Sequence, residues 1–149
     1  MTSRQITLVS CCREKLSRMA PAEQLYRSPL FQKSKAWANM QGNDWFVISA
    51  RYGLIKPEAK MQPYDKTMRS LTPEEREEWA QNVATGLRAL SAFWDVDRLE
   101  ITLLAGADYA SWIPLVSDFC DVHQPMAGMQ IGQRLQWLNQ QICANGLGE

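Results

Sequence analysis

Two adjacent cysteines, Cys11 and Cys12, follow a short β-branched run, Ile6-Thr7-Leu8-Val9, and Ser10; Lys15 stands four residues beyond Cys11. The thiolate is the reactive form of cysteine, and a cation beside it, here Lys15 or Arg13, favours that form. Cys11 is therefore a candidate nucleophile. Lys15 is a candidate for neutralising an anion, binding a phosphate or orienting a carbonyl. Each also has a plain structural reading: strand alternation turns one cysteine inward as a small hydrophobe, and a loop lysine is ordinarily solvated.

A second constellation follows another apolar run, Trp45-Phe46-Val47-Ile48. It comprises Ser49, Arg51, Tyr52 and Gly53, then Tyr64 and Asp65. Arg51 suits bidentate contact with a phosphate or carboxylate, or internal pairing with Asp65 or Asp108. Asp65 is a candidate proton acceptor and donor, or a turn aspartate. Tyr52 and Tyr64 either frame a planar ligand or wedge their loop onto the core. Gly106 falls between a strand and a predicted helix, where backbone N–H groups hold anions, and Tyr109 follows it. Neither the GxGxxG nor the phosphate-loop pattern is present. His123 reads as a packed, hydrogen-bonded histidine, and the six tryptophans read mostly as core.

The elements that must position these residues alternate. Strands are predicted at Ile6–Val9, Trp45–Ser49, Leu99–Leu104 and Phe119–Val122. Ser28 caps a helix that opens on Pro29 and runs to about Met40. Thr72-Pro73-Glu74-Glu75 opens a second with a capping box, running to about Phe93. A third carries Tyr109, Trp112, Ile113 and Val116, with Pro114 kinking it. A fourth runs from about Met129 to Ala144, with Ile131, Leu135, Leu138 and Ile142 on its apolar stripe and Gly146 ending it. Cys11 to Ser28 is polar and irregular, and Ala50 to Leu71 is a long loop; a connection of about twenty residues is usually functional or locally structured. The order β-α-β-α-β-α-β-α predicts one α/β domain with a mainly parallel sheet of about four strands and helices on both faces. The segments after the four strands then converge at one sheet edge, where such folds bind ligands.

The 149 residues fit one domain. No apolar run approaches the roughly 18 residues of a membrane span, so no membrane association is expected. The run Ile6–Val9 is too short for a signal-peptide core, which makes a cytoplasmic protein the expectation. With no CxxC pair and a single histidine, the spacing of a zinc site is missing, and neither metal nor cofactor is expected. Net charge is zero but unevenly spread. Residues 1–69 hold twelve Lys or Arg against five Asp or Glu, a net of +7, and residues 70–149 hold four against eleven, a net of −7. A basic first half favours an anionic ligand such as a nucleotide or nucleic acid, unless acidic helices merely collect in the second half.

The segment Ser49-Ala50-Arg51-Tyr52-Gly53-Leu54-Ile55-Lys56-Pro57, continuing to Gln62-Pro63-Tyr64-Asp65, resembles the S-G-L-Y-G-L-L-R-P…P-Y signature of the peroxide stress protein YaaA family. The chain as a whole is similar to a family of small uncharacterised bacterial and phage proteins. These share an S-C-x-x-x-K element (Ser10, Cys11, Lys15), an L-Y-x-S-x-L-F element (Leu25 to Phe31) and the Ser49–Asp65 segment. A weaker resemblance links Cys11 and Lys15 to the P-C-x-x-x-K-P-Y-x-x-S-x-x-H motif of the archaeosine synthase core domain. There Ser10 and Leu16 stand where that motif has proline, and Tyr26 and Ser28 would take the places of its tyrosine and serine after an insertion.

These resemblances imply a YaaA-like fold and a nucleobase, nucleotide or nucleic acid as partner, including a modified base of the 7-deazaguanine type. The reading is a small nucleobase-modifying transferase or hydrolase. Cys11, Lys15 and Asp65 carry its chemistry. Ser10, Tyr26, Ser28, Ser49, Arg51, Tyr52, Gly53, Tyr64, Gly106 and Tyr109 bind the substrate. The alternative is a non-catalytic DNA-binding protein of the oxidative stress response.

Overall fold

Four consecutive buried residues, Ile6, Thr7, Leu8 and Val9, lie in the middle of the first strand, β1 (Ser3–Ser10). A strand buried on both faces belongs at the centre of a parallel sheet, and β1 occupies that place. A computed structural model describes residues 2–12 and 14–146. In it β1 pairs in parallel with β3 (Asp44–Ser49) on one side and β6 (Arg98–Leu104) on the other. On the far side of β6, β7 (Cys120–His123) is again parallel. The other edge is a three-residue antiparallel strand, β4 (Gly53–Ile55), which doubles back on β3. Gly53 makes that reversal with φ of +72°, a conformation that glycine adopts without strain. The order is β4-β3-β1-β6-β7.

The crossover from β1 to β3 runs through α2 (Pro29–Met40), and that from β3 to β6 through α3 (Pro73–Trp94). They move in opposite directions along the sheet, so right-handed connections place the two helices on opposite faces. The last helix, α4 (Ile131–Gly146), joins α2, where the Trp37 and Trp137 rings meet at a tilt with centroids 6.2 Å apart and Lys33 bonds Asn139 at 2.7 Å. Both predicted caps form. Ser28 Oγ accepts from the Phe31 N–H, and Thr72 and Glu75 exchange bonds at the start of α3.

A second, smaller sheet ties the two loops together. β2 (Ala20–Pro21) pairs with β5 (Lys60–Met61), and the four-residue α1 (Ala22–Leu25) follows β2. The Ala22 and Glu23 N–H groups donate to the carbonyls of Ala59 and Pro57. Lys15 bridges to Tyr26, flanked by backbone bonds between Leu16 and Leu25 and between Arg27 and Glu14.

The sheet thus has five strands rather than four, and both predicted loops contain short elements. The predicted third helix is absent. Two 3-10 turns, Ala107–Tyr109 and Ile113–Val116, take its place. Pro114 lacks the N–H that an α-helix would need there. On α4, Leu138 is buried but Ile131 is 63% exposed, so the stripe starts a turn later than its spacing suggests. Trp45, Trp79 and Trp112 are buried, and Trp37, Trp94 and Trp137 pack against the core.

Candidate functional site

The crossovers leaving β1 and β6, which are neighbours in the sheet, go to opposite faces. A crevice therefore opens where their C-terminal ends diverge, the place at which open α/β sheets bind ligands. Ser10 and Cys11 leave β1 there, and Gly106 to Tyr109 leave β6. Two adjoining hollows, of about 770 Å³ and 660 Å³, share Cys11, Arg69, Asp108, Tyr109 and Ile131. Cys11 sits at their junction, its backbone N–H anchored on the Ile48 carbonyl at 3.1 Å. Its Sγ lies 3.2 Å from the Tyr109 hydroxyl. Tyr109 is fixed in turn by the Trp112 indole, which donates to its carbonyl, and by an edge-to-face contact with Trp79 at 5.9 Å.

On the β3 side the polar side chains form a relay. Ser49 Oγ accepts the N–H groups of Arg51 (3.1 Å) and Tyr52 (3.2 Å). Both acceptor positions of the hydroxyl are then filled. Its own proton goes to the Tyr64 hydroxyl at 2.6 Å, and Tyr64 meets Tyr26 at 2.6 Å. The Ser49 carbonyl accepts the Trp79 indole N–H at 2.8 Å. Tyr52 stands edge-on to Tyr64 at 5.3 Å, and the Lys15 ammonium lies 4.6 Å from the Tyr64 ring and 5.7 Å from the Tyr26 ring. Burial pushes the phenols of Tyr26, Tyr64 and Tyr109 well above the ordinary tyrosine value, and the neighbouring Cys11 adds to the shift. The three hydroxyls therefore act as neutral donors and acceptors, not as phenolates.

The structure brings Ser10, Cys11, Gly106 and Tyr109 to one wall of the crevice. Asp65 lines the adjoining hollow with Cys11 and Cys12. Tyr26, Ser49 and Tyr64 form the relay, which Lys15 covers. Arg51 pairs with neither Asp65 nor Asp108. It is exposed and lies over the Tyr52 ring at 5.2 Å. Ser28 is buried with its hydroxyl committed to the cap of α2. Gly53 serves the β3–β4 reversal. Cys12 is half-buried and its thiol donates to the Glu14 carbonyl. Arg13 lies outside the described residues. The segment after β7 does not reach the crevice, because β7 ends opposite Thr102, two residues short of the end of β6. His123 is exposed rather than packed. It lines a separate polar hollow of about 230 Å³ with Thr7, Glu100 and Thr102.

Sequence reasoning missed two cations of the crevice, Arg69 and Arg134. For Arg134 a signal exists. It falls in the first turn of α4, where a cation opposes the helix dipole, an unusual place that could have drawn notice to it. Arg69 had none beyond its place in a long loop. No group of three or more potential metal ligands occurs among the described residues, and no described helix is long and apolar enough to cross a membrane.

A model of the family DUF6884, a family of unknown function, matches residues 6–140. The chain belongs to that family. The matched span runs from β1 into α4 and so takes in the crevice, both loops and every candidate residue. No curated protein and no solved structure matches the chain significantly.

Proposed function

We propose that this protein is a small enzyme acting on a nucleobase or nucleotide, with Cys11 as its nucleophile. The observation that carries the reading is the Cys11 thiol held against the Tyr109 hydroxyl at the topological switch point, between two open hollows. Tyr109 stays protonated and donates to sulfur as negative charge gathers there. Lys15 adds positive charge on the relay side of the site. Asp65, exposed at the edge of the second hollow, accepts and returns the substrate proton. The Tyr64 hydroxyl and the Tyr52 ring, which stands edge-on to Tyr64 at 5.3 Å, buttress the relay side of the site. The base as substrate class comes from the resemblance of the Cys11–Lys15 and Ser49–Asp65 segments to the YaaA and archaeosine synthase families, including the 7-deazaguanine type.

Calorimetric titration with nucleobases and nucleotides, beside mass spectrometry of the intact chain, tests this. The expected result is binding by at least one of them and protection of Cys11 from alkylation by the bound ligand. Once a turnover assay is in hand, Cys11→Ser should retain binding and lose at least about a thousandfold in rate. Absence of binding across the series, or full activity of Cys11→Ser, rejects the proposal. The second reading, a DNA-binding protein without catalysis, draws on the net charge of +7 in residues 1–69.

A further inference from the structure

We infer that Arg69 and Arg134, the latter seated against Gly106, form a phosphate subsite in the larger hollow, so that the ligand is a phosphate monoester, a mononucleotide rather than a free base. The inference rests on the proposed nucleobase chemistry for the identity of the rest of the ligand.

Three other arginines of this chain are engaged. Arg4, Arg88 and Arg98 pair with Asp44, Asp118 and Asp121 at 2.6, 3.1 and 2.9 Å. Arg69 and Arg134 take no carboxylate among the described residues; the same holds for Arg18, Arg27, Arg51 and Arg76, but of these only Arg69 and Arg134 line the larger hollow. Arg134 is nevertheless held in place, since its Nε donates to the Met129 carbonyl at 3.0 Å. Its two terminal nitrogens lie against Gly106, where an added Cβ would come within 3.4 and 3.5 Å of them. The half-buried guanidinium thus sits over the start of the turn after β6. Because that side chain is already ordered, little conformational freedom remains to be lost on binding.

Arg69 lines both hollows from a 3-10 turn, Met68–Ser70, that a Thr67–Ser70 capping box closes. Two guanidiniums match the charge of a phosphate monoester, about −1.5 to −2 at neutral pH, and each can bind it in bidentate fashion. A backbone phosphodiester carries one charge and matches the pair less well. The opposing charge on this wall is Asp108, whose carboxylate is exposed and screened by water. In the adjoining hollow Asp65 and Lys66 offset one another. A phosphate on the arginines leaves the remainder of the ligand to reach toward Cys11, where the hollows meet.

Calorimetry with inorganic phosphate, a nucleoside, its 5′-monophosphate and a short single-stranded oligonucleotide provides the test. The monophosphate should bind at least about tenfold more tightly than the nucleoside, the scale of one charge-assisted hydrogen-bonded contact. Arg69→Ala, at an exposed position, and Arg134→Ala should each remove most of that gain. Equal affinity for nucleoside and monophosphate, or unchanged affinity in the arginine variants, overturns the subsite and leaves the nucleobase reading standing. Binding of inorganic phosphate that a nucleoside moiety does not improve has the reverse meaning. An oligonucleotide without terminal phosphate that binds as tightly as the monophosphate rejects the monoester. No binding by any of the four overturns both.

Discussion

The buried Ser49 side chain satisfies two backbone N–H groups and the Tyr64 hydroxyl at once, through part-buried bonds. Ser49→Ala leaves those partners short, and each unsatisfied buried polar group costs about 1–3 kcal/mol. Urea denaturation should report a loss of about 2–3 kcal/mol, with an unchanged urea dependence if the unfolded state is unaffected. The relay and Tyr109 together govern alkaline behaviour. Tyr26, Tyr64 and Tyr109 have phenols raised by burial, so the folded state holds protons that the unfolded chain has released. Stability from this source is full below the unfolded tyrosine value of about 10 and is lost as pH rises above it. Tyrosinate absorbance should therefore climb together with unfolding, and Tyr64→Phe should flatten the alkaline limb. A separate tyrosinate rise in the intact fold, involving more than one of the four tyrosines, contradicts this. At this scale the sequence was most legible where a residue's chemistry follows from a strand end, as at Cys11, Ser49 and Gly106. It was least legible at Arg69 and Arg134, which reach the crevice from segments remote from β1 and β3.

α3 shows why some elements declare themselves and others do not. Thr72, Pro73 and Glu75 spell out its start through local bonds alone, as Ser28 and Pro29 do for α2. β4, β5 and the 3-10 turns are too short for any hydrophobic period, and they exist because tertiary pairing recruits them. Tyr64 is placed against Tyr26 by the β2–β5 pairing and the Lys15–Tyr26 bridge, which link residues far apart in the chain. α3 also reaches into the site. The buried Trp79 donates its indole N–H to the Ser49 carbonyl at 2.8 Å, whereas the buried indole nitrogen of Trp37 on α2 has no partner among the described residues. Trp79→Phe leaves a buried carbonyl one bond short and should cost about 1–3 kcal/mol on that account. Trp37→Phe removes an unsatisfied donor, which offsets part of its packing loss. Thermal unfolding of the two variants should therefore show the larger drop for Trp79→Phe. Equal drops would mean that packing volume alone decides.

At the scale of the molecule, the uneven charge of the chain meets its topology. The strands from residues 1–69, β4, β3 and β1, form one side of the sheet, and those from residues 70–149, β6 and β7, the other, so the crevice lies on the seam between them. The helices blur this division. α3 carries Glu74, Glu75, Glu77 and Glu78 in its first two turns, and at Gly86 it packs against Leu54 of β4, on the basic side. Part of the acidic half of the chain thus lies over the strands of the basic half, which weakens any broad positive face. Duplex binding needs several Lys or Arg on phosphates together, and its affinity falls steeply with salt as counterions are released. A ligand held by two guanidiniums in a crevice depends far less on ionic strength. The expected outcome is no gel shift of a random duplex at physiological salt, together with mononucleotide affinity that changes little between low and physiological salt. A duplex shift that survives physiological salt and disappears on further addition, unaffected by Arg69→Ala, would instead assign the basic half to nucleic acid and favour the non-catalytic reading.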